Sequence, residues 1–342
     1  MAKRGLSAEC LAVVAAVRAC LPSDSATRHV VRIALSGGAD SLSLAAGLAW
    51  LDAHEPDPLR TSEAVVVDHD LQPGSADIAE AAAAAVQNFG LSATVVKVHV
   101  TESGVGVEAA ARDARYTALA TAHSPSAVVS ASTSEAADEF GTVAPALVLV
   151  GHTMDDQAET VLMGLARGSG TRSLAGMPAR FTVAGIPFAR PLLALRRATT
   201  AQACVDWDLT PWQDPMNADP RFLRVRVRHE IIPALDDVLG PGVVDALART
   251  AHLAQEDADF LDSLVPVASP GPLPVAQVAN LPRPLATRLI RDWLNANGVV
   301  ELGFAHTASV YALVADWHGQ SGVNLPGTCV SRAAGELRLS QR

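Results

Sequence analysis

The strongest chemical signal in the sequence is a glycine-rich hexapeptide between a short β-branched run and an apolar helical stretch. Its residues are Ser36, Gly37, Gly38, Ala39, Asp40 and Ser41. Glycine permits a tight turn and a close approach of backbone N–H groups to an anion, and the positive end of the following helix strengthens that attraction. Asp40 adds a carboxylate that suits Mg²⁺, while the serines add hydroxyl groups. Because neither the lysine of a Walker loop nor G-x-G-x-x-G spacing is present, the segment predicts a phosphate-binding loop of another kind.

A second segment, from His152 to Thr160, places carboxylates at the start of another predicted helix. Asp155 and Asp156 precede Glu159 by four and three residues, so these side chains share one helix face. Acidic residues in a first helical turn also complement the helix dipole, and this structural role remains open for them. The segment follows a predicted parallel strand, however, and open α/β sheets bind ligands beside the carboxyl ends of their strands. We therefore take it as a second part of one site.

Strand-like and helical segments alternate through the first half of the chain. The predicted strands are Val30–Leu35, Ala64–Val67, Thr94–Val100 and Ala146–Val150. The predicted helices are Leu42–Leu51, Asp77–Phe89, Val107–Ala122 and Asp155–Arg167. This alternation predicts an α/β fold with a doubly wound parallel sheet. Beyond it, the sequence predicts a smaller, mainly helical domain that ends in a β-hairpin within Gly322–Leu339.

Composition limits the class of protein. With 342 residues the chain is long enough for two domains, and its 49% hydrophobic content supports buried cores rather than disorder. A net charge of −10 argues against a protein that coats nucleic acid or an anionic membrane with its whole surface. The four cysteines form no metal-binding or disulfide pattern. Because we find neither a signal peptide nor an apolar run of membrane-spanning length, we expect a soluble, cytoplasmic protein with no membrane partner.

The hexapeptide resembles the pyrophosphate-binding loop (PP-loop) of the N-type ATP pyrophosphatase superfamily. Other motifs narrow the resemblance to the tRNA(Ile)-lysidine synthase family, over a stretch from about Arg32 to Leu235. They are VDHDLQPGSAD (67–77), AARDARY (110–116), HTMDDQAET (152–160), GSGTRSLAGMP (168–178), ARPLL (189–193) and DPMNADPRFLRVRVRHEIIP (214–233). The closing LPGTCVSRAAGELRL is also similar to the C-terminal end of that family. One departure is Val225, which stands where the family usually has asparagine and leaves the role of that asparagine open.

The resemblance implies ligation of L-lysine to C2 of the wobble cytidine in a tRNA(Ile) with a CAU anticodon. ATP first adenylates the C2 oxygen with release of pyrophosphate, and the ε-amine of lysine then displaces AMP. Residues 1–220 form the expected PP-loop ATP-binding catalytic domain and residues 221–342 the expected tRNA-binding domain. Asp40 is the candidate ligand of Mg²⁺, and Asp156 and Glu159 are candidates for binding the lysine ammonium and accepting its proton.

Basic residues are candidates for the remaining contacts. Arg112 is a candidate for the lysine carboxylate, and His69 and His152 are candidates for the nucleotide, although a core or capping role is equally open for both histidines. Because only two lysines occur in the chain, we expect arginines to bind tRNA phosphates. The candidate tRNA ligands are Arg115, Arg190, Arg221, Arg224 and Arg228, and Arg196 and Arg197 belong to the same arginine-rich stretch. Pairing with Glu230, Asp236 and Asp237 on a helix face is the alternative for part of it.

Two other functions are weighed against the ligase. A tRNA thiolase of the same superfamily needs persulfide cysteines or an iron–sulfur cluster, and no cysteine here lies in a fitting motif. A catalytically inactive module that only binds nucleotide and RNA has no need of Asp40, Asp156 and Glu159 together. The sequence leaves open which carboxylate is the general base, how tRNA(Met) is rejected, what the Ser124–Pro145 insertion does, and whether the chain forms a homodimer.

Overall fold

The computed structural model describes residues 5–22, 27–68, 74–98, 107–121, 146–168, 170–299 and 302–341. His69, the side chain of Arg112 and the Ser124–Pro145 insertion lie outside the described residues. Tertiary contacts divide the chain into two compact units, one formed by Met1–Glu159 and Met177–Ala248 and the other by Thr160–Gly176 and Arg249–Arg342. The functional boundary after residue 220 remains a prediction, because compact packing does not show which residues hold tRNA.

The first unit is built on a six-stranded sheet. Its strands are β1 (His29–Leu35), β2 (Arg60–Asp68), β3 (Ser92–Lys97), β4 (Leu147–Val150), β5 (Arg180–Val183) and β6 (Ile186–Ala189). Their order is β3-β2-β1-β4-β6-β5, and all neighbours are parallel except β5 and β6. The predicted doubly wound parallel sheet is therefore confirmed, with an antiparallel edge that the sequence did not reveal. That edge hairpin turns through Ala184 and Gly185, whose positive φ values are typical of a type I′ turn.

Helices cover both faces of this sheet. The helices of the chain up to residue 263 are α1 (Ala8–Arg18), α2 (Ala39–His54), α3 (Ser75–Gln87), α4 (Val107–Thr121), α5 (Met154–Arg167), α6 (Thr171–Leu174), α7 (Arg197–Asp206), α8 (Leu223–Arg226), α9 (Ile232–Leu239) and α10 (Val243–Ser263). Of these, α6, the end of α5 and most of α10 belong to the second unit. Side chains alternate across a strand, so Val31 and Ile33 of β1 join one core with α1, α2, α3 and α7. On the other face, Val148 of β4 packs with Tyr116 and Leu119 of α4. A π-helical turn, Val227–Ile231, joins α8 to α9.

The chain order of the sheet reverses at β1, whose neighbours are β2 on one side and β4 on the other. The loops that follow β1 and β4 therefore leave the same edge of the sheet side by side. This is the position at which open α/β sheets bind ligands. One of these loops is the hexapeptide Ser36–Ser41, and the other begins at Gly151.

The second unit contains a four-stranded antiparallel sheet in the order β7-β10-β9-β8. Its strands are β7 (Leu273–Pro274), β8 (Val323–Leu325), β9 (Thr328–Ala333) and β10 (Glu336–Gln341), and its further helices are α11 (Val275–Ala279), α12 (Arg283–Ala296) and α13 (Phe304–Ala315). The predicted closing hairpin is confirmed as β9–β10. Trp293 is fully buried in this unit, and its Nε1 donates a hydrogen bond to the Gly271 carbonyl at 2.6 Å. Within the described parts of the chain, no helix combines the length and apolar character needed to cross a membrane.

A buried ion pair links β1 to β2. Arg32 and Glu63 are register partners, and Arg32 Nε donates to Glu63 Oε1 at 2.8 Å. Arg32 Nη1 also donates to the Leu119 carbonyl of α4 at 2.7 Å, which ties this helix to the sheet. A charge buried without its partner is costly, so each member of the pair depends on the other.

We expect Glu63→Leu to lower the free energy of unfolding by about 3 to 5 kcal/mol, because it leaves the Arg32 guanidinium buried without a counter-charge. The double variant Arg32→Met/Glu63→Leu should lose less than this single variant, since no charge is then left unpaired. Chemical denaturation at neutral pH measures both losses. A double variant at least as unstable as the single one would contradict the argument.

Candidate active site

The hexapeptide Ser36–Ser41 forms a turn that opens α2. Gly37 has a φ of +80°, which favours glycine, and Gly38 is the N-cap residue of α2 and provides no side-chain cap. The Ser41 hydroxyl accepts a hydrogen bond from the Ser36 N–H and donates one to the Gly38 carbonyl, both at 3.1 Å. The first N–H groups of a helix have no acceptor within the helix. The loop thus offers N–H donors and a positive dipole end, which together suit a phosphate.

Backbone contacts on two sides fix this loop. A Cβ atom added to Gly151, just after β4, would lie 3.1 Å from both the carbonyl carbon of Asp40 and the nitrogen of Ser41. Glycine therefore allows the end of β4 to approach the start of α2. On another side, the Trp212 N–H donates to the Gly37 carbonyl at 2.9 Å. The loop is held in one shape by backbone atoms distant from it in sequence.

Asp40, in the first turn of α2, faces two side chains of α7. Thr200 donates a hydrogen bond to its Oδ1, and Arg197 Nε lies 3.7 Å from its Oδ2. Burial raises the pKa of Asp40 to about 6, against the opposing effects of Thr200 and Arg197 and with a further contribution from Asp156. A carboxylate beside a phosphate loop fits Mg²⁺, which is commonly bound by one or two carboxylates together with substrate phosphates. No group of three metal-ligating side chains occurs among the described residues.

Asp156 and Glu159 lie on the buried side of α5. The Asp156 Oδ2 accepts hydrogen bonds from the backbone N–H and the hydroxyl of Thr153, both at 2.8 Å, and its Oδ1 accepts one from Arg197 Nη2 at 2.7 Å. Burial alone would raise the pKa of Asp156, but Arg197 and the Thr153 hydrogen bonds hold it below its ordinary value. Glu159 has no exposed surface. Arg228 donates two hydrogen bonds to it, from Nε to Oε1 at 2.7 Å and from Nη2 to Oε2 at 3.1 Å.

Arg197 is the residue that joins these carboxylates. Its Nε faces Asp40, its Nη2 binds Asp156, and its Nη1 lies 3.5 Å from Glu159 Oε1. Burial would lower the pKa of Arg197, but Asp156, Glu159 and Asp40 together hold it above its ordinary value. One guanidinium therefore connects the carboxylate beside the phosphate loop to the two on α5.

Asp155 has a structural task beside this group. Its Oδ2 accepts the backbone N–H of Arg197 at 2.7 Å, and its carboxylate receives two hydrogen bonds from Arg196, both at 3.3 Å. Asp155 thereby caps the N-terminus of α7 and fixes where Arg197 and Thr200 lie. We call Asp40, Asp155, Asp156, Glu159, Arg196, Arg197, Arg224 and Arg228 the carboxylate–arginine cluster.

His152 is oriented by Arg190. Arg190 is 4% exposed, its Nε donates to His152 Nδ1 at 3.1 Å, its Nη1 donates to the Pro178 carbonyl at 2.5 Å, and its guanidinium lies 4.0 Å from the centre of the Phe181 ring. Because arginine can only donate, His152 Nδ1 accepts and the ring proton resides on Nε2. Arg190, a candidate tRNA ligand from the sequence, is thus placed where it positions His152 rather than at an exposed surface.

The other candidate tRNA ligands are placed differently from one another. Arg115 is exposed on α4, and Arg221 is exposed and paired with Asp219. Arg224 Nε lies 3.8 Å from Glu159 Oε2, and Arg228, in the π-helical turn, binds Glu159 as described. The alternative of helix-face pairing holds for Arg226, which lies 3.6 Å from Glu230. The structure therefore brings Arg224 and Arg228 to the carboxylates and leaves Arg115 and Arg221 on the surface.

Three side chains of the site are not predicted from the sequence. The sequence predicts that Arg197 faces RNA and indicates no role for Thr153 or Thr200. The signal for Arg197 and Thr200 is their spacing of three residues at the start of one helix, which places both on the same face. Nothing in the sequence shows that this face meets α2 and α5.

We expect Gly151→Ala to reduce ATP turnover at least tenfold, because its Cβ would push against the backbone of Asp40 and Ser41 and shift the phosphate loop. Pyrophosphate release with saturating tRNA measures the effect, and thermal unfolding shows whether the fold survives. Gly303→Ala is the matched control, since the structure shows nothing within 4 Å of a Cβ at that N-cap position. Equal activity in both variants would contradict a loop set by the Gly151 contact.

The raised pKa of Asp40 predicts a pH-dependent stability in magnesium-free buffer. Burial disfavours the ionised carboxyl, so the free energy of unfolding falls as pH rises from 3.8 towards 6. The loss is complete above pH 6, at about 3 kcal/mol. Asp40→Asn removes this cost and should raise the melting temperature at pH 8, with a smaller gain at pH 5. Thermal unfolding across that range measures the difference, and a gain that does not depend on pH would oppose the prediction.

Comparison with known proteins identifies the family of the chain. A family model described as a PP-loop domain matches residues 13–235, and one described as the TilS substrate binding domain matches residues 273–338. A U34-tRNA thiolase from Methanococcus maripaludis, solved with its [4Fe-4S] cluster, shares 17% sequence identity and a TM-score of 0.53 over 72% of this chain and 80% of that one. At that identity the likeness shows a shared fold alone.

Curated relatives are much more similar. The tRNA(Ile)-lysidine synthase of Rhodococcus erythropolis is 44% identical over 93% of this chain and 89% of its own length. The enzyme of the same name from Leifsonia xyli is 44% identical over 92% and 91%, and that from Mycolicibacterium paratuberculosis is 47% identical over 86% and 85%. With a PP-loop domain over most of its length and relatives this similar along nearly the whole chain, the protein belongs to the tRNA(Ile)-lysidine synthase family, a family of PP-loop ligases that modify tRNA.

Proposed function

We propose that this enzyme adenylates the C2 oxygen of the wobble cytidine in a CAU-anticodon tRNA(Ile) with ATP, and then ligates L-lysine at C2. The observation that carries the proposal is the position of Arg197 between Asp40 and Asp156. It places a carboxylate of the phosphate loop and the carboxylates of α5 around one guanidinium. The two half-reactions need an anion site and a cation site side by side, and the cluster supplies both.

In the first half-reaction the C2 oxygen attacks the α-phosphorus of ATP, and pyrophosphate leaves. The N–H groups at the start of α2 and the Ser36 and Ser41 hydroxyls bind the phosphates. Mg²⁺, bound by Asp40, would neutralise negative charge on the phosphates. Arg197 lies beside Asp40 and adds a donor for the charge that develops on the α-phosphate.

In the second half-reaction the ε-amine of lysine attacks C2, the C2–O bond breaks, and AMP leaves with its electron pair. The incoming ammonium must first lose a proton. Asp156 Oδ1 is the acceptor we assign to that ammonium, because Oδ2 accepts both hydrogen bonds from Thr153 while Oδ1 already faces two side-chain cations, Arg197 and Arg228. Glu159 is fully buried and bound by Arg228, and its carboxylate adds negative charge beside Asp156. His152, with its proton on Nε2, is a donor at the same sheet edge.

Sulfur transfer is less compatible with this chain. Burial raises the pKa of the Cys10, Cys20 and Cys204 thiols, that of Cys204 to about 12. A thiolate, not a thiol, is the reactive form of cysteine, so these positions disfavour a persulfide carrier. No three cysteines lie together as ligands among the described residues. An inactive RNA-binding module is disfavoured by the family assignment, since the relatives are named as synthases.

The test supplies the purified chain with Mg²⁺, ATP, a CAU-anticodon tRNA(Ile) transcript and radiolabelled L-lysine. We expect label in the RNA, one pyrophosphate released per lysine, and no label in a transcript whose wobble base is uridine. Asp40→Ala should lose pyrophosphate release at least a hundredfold while still binding tRNA. Asp156→Asn should release pyrophosphate from ATP but incorporate lysine at least a hundredfold more slowly.

Two results would overturn the proposal. Sulfur incorporation from a sulfide donor with no lysine incorporation would favour the thiolase. Tight tRNA binding with neither pyrophosphate nor AMP release would favour the inactive module. Equal losses of both half-reactions in Asp156→Asn would remove the separation of roles between the two carboxylates.

A further inference from the structure

Arg197 occupies part of the place where, under the proposed function, the substrate lysine binds. Its main chain is fixed, because Asp155 accepts its backbone N–H at 2.7 Å. Its guanidinium binds Asp156 Oδ1 at 2.7 Å, and that oxygen is the one we assign to the lysine ammonium. Lysine and Arg197 therefore compete for the same acceptor.

The charges around these carboxylates also oppose the entry of a further cation. Asp156 and Glu159, the two carboxylates of α5 assigned to lysine, face three guanidinium groups without any ligand, those of Arg197, Arg224 and Arg228. A lysine ammonium that enters the cluster adds a positive charge next to Arg197 and Arg228. Like charges at close range repel strongly where water is scarce. Lysine binding thus requires either a guanidinium that leaves or an anion that arrives.

Arg197 is the guanidinium that can leave at lower cost. Arg228 also approaches Asp156 Oδ1, at 3.5 Å, but its two short hydrogen bonds hold Glu159, which has no exposed surface. Moving Arg228 would leave a fully buried carboxylate with weaker partners. Arg197 is 27% exposed, and its contact with Glu159 is a longer one, at 3.5 Å.

An alternative partner for Arg197 lies on the other side. Its Nε is 3.7 Å from Asp40, in the first turn of the helix that the phosphate loop opens. Bound ATP brings several negative charges to that loop, and arginine binds phosphate oxygens with two parallel hydrogen bonds. Rotation of the side chain towards a bound phosphate would exchange one anionic partner for another.

We propose that Arg197 makes lysine binding depend on nucleotide: it covers Asp156 Oδ1 in the free enzyme and releases that oxygen when ATP phosphates attract its guanidinium. This inference rests on the proposed function, because it takes Asp156 as the lysine ligand. It makes lysine bind tightly only after the nucleotide. Free lysine then does not occupy the site before the nucleotide has bound.

The test measures the affinity of radiolabelled L-lysine by equilibrium dialysis, with and without Mg²⁺ and α,β-methylene-ATP, whose bridging carbon prevents cleavage. In the native enzyme we expect the analogue to tighten lysine binding at least tenfold. Arg197→Gln should bind lysine without nucleotide within threefold of the native enzyme with the analogue, and gain little more from it. Arg226→Gln is the matched control, because Arg226 is exposed and faces Glu230 at 3.6 Å on its own helix, and it should keep the native dependence on nucleotide.

Arg197→Lys guards against a variant that does not fold. Its compact ammonium keeps a cation beside Asp156 but cannot bind a phosphate with two parallel hydrogen bonds, so the analogue should tighten lysine binding less than it does in the native enzyme. A native lysine affinity that does not respond to the analogue, an Arg197→Gln variant whose nucleotide-free affinity equals that of the native enzyme, or an Arg197→Lys variant with the full native response would overturn the inference. The incorporation assay separates this outcome from failure of the proposed function: lysine entering tRNA at a normal rate leaves the ligase intact and removes only the coupling.

Discussion

The arrangement of the site depends on one carboxylate that has no exposed surface and whose charge must be balanced by its neighbours. Glu159 lies inside the first unit, and an ionised group there is tolerated only when cations and hydrogen bonds surround it. Arg228 meets this condition from the π-helical turn, with Arg197 and Arg224 farther away. Two of these arginines lie on the backbone between α7 and α9: Arg224 in α8 and Arg228 in the π-helical turn. A π-helical turn is rare, and its presence at Arg228 agrees with the tendency of such turns to occur at functional sites.

The sheet brings together the two loops of the site, Ser36–Ser41 after β1 and the loop that begins at Gly151 after β4. Because the strand order reverses at β1, the ends of β1 and β4 lie together, and Gly151 lets the end of β4 approach so closely that a Cβ there would lie 3.1 Å from the backbone of Asp40 and Ser41. The phosphate loop and the carboxylates of α5 are thus set by backbone packing, while α7 links them through Arg197 and Thr200. A rigid frame with one movable side chain is a simple way to couple two binding events.

The parallel sheet and the phosphate loop could be predicted because short sequence patterns determine them. Alternating β-branched runs and helical stretches predicted the parallel sheet, and S-G-G-x-D-S predicted the phosphate loop. The β5–β6 hairpin was missed because its strands are four residues long and follow a glycine-rich stretch with no clear alternation. The roles of Arg190 and Arg197 could not be predicted, because a charged side chain in the sequence does not show whether it faces RNA, solvent or a buried carboxylate. Such pairings join residues about 40 positions apart, as Arg190 with His152 does, and depend on the tertiary fold.

The preference for arginine over lysine bears on how this site discriminates. A lysine side chain of the protein near Asp156 would present the same ammonium group as the substrate and would satisfy a single acceptor as well as the substrate does. A guanidinium instead spreads its donors over several carboxylates, as Arg197 does over Asp40, Asp156 and Glu159. Each of those contacts is then only part of its binding, so giving up Asp156 does not release Arg197 from the cluster. The site can therefore stay electrically paired when empty and still yield one oxygen to an ammonium.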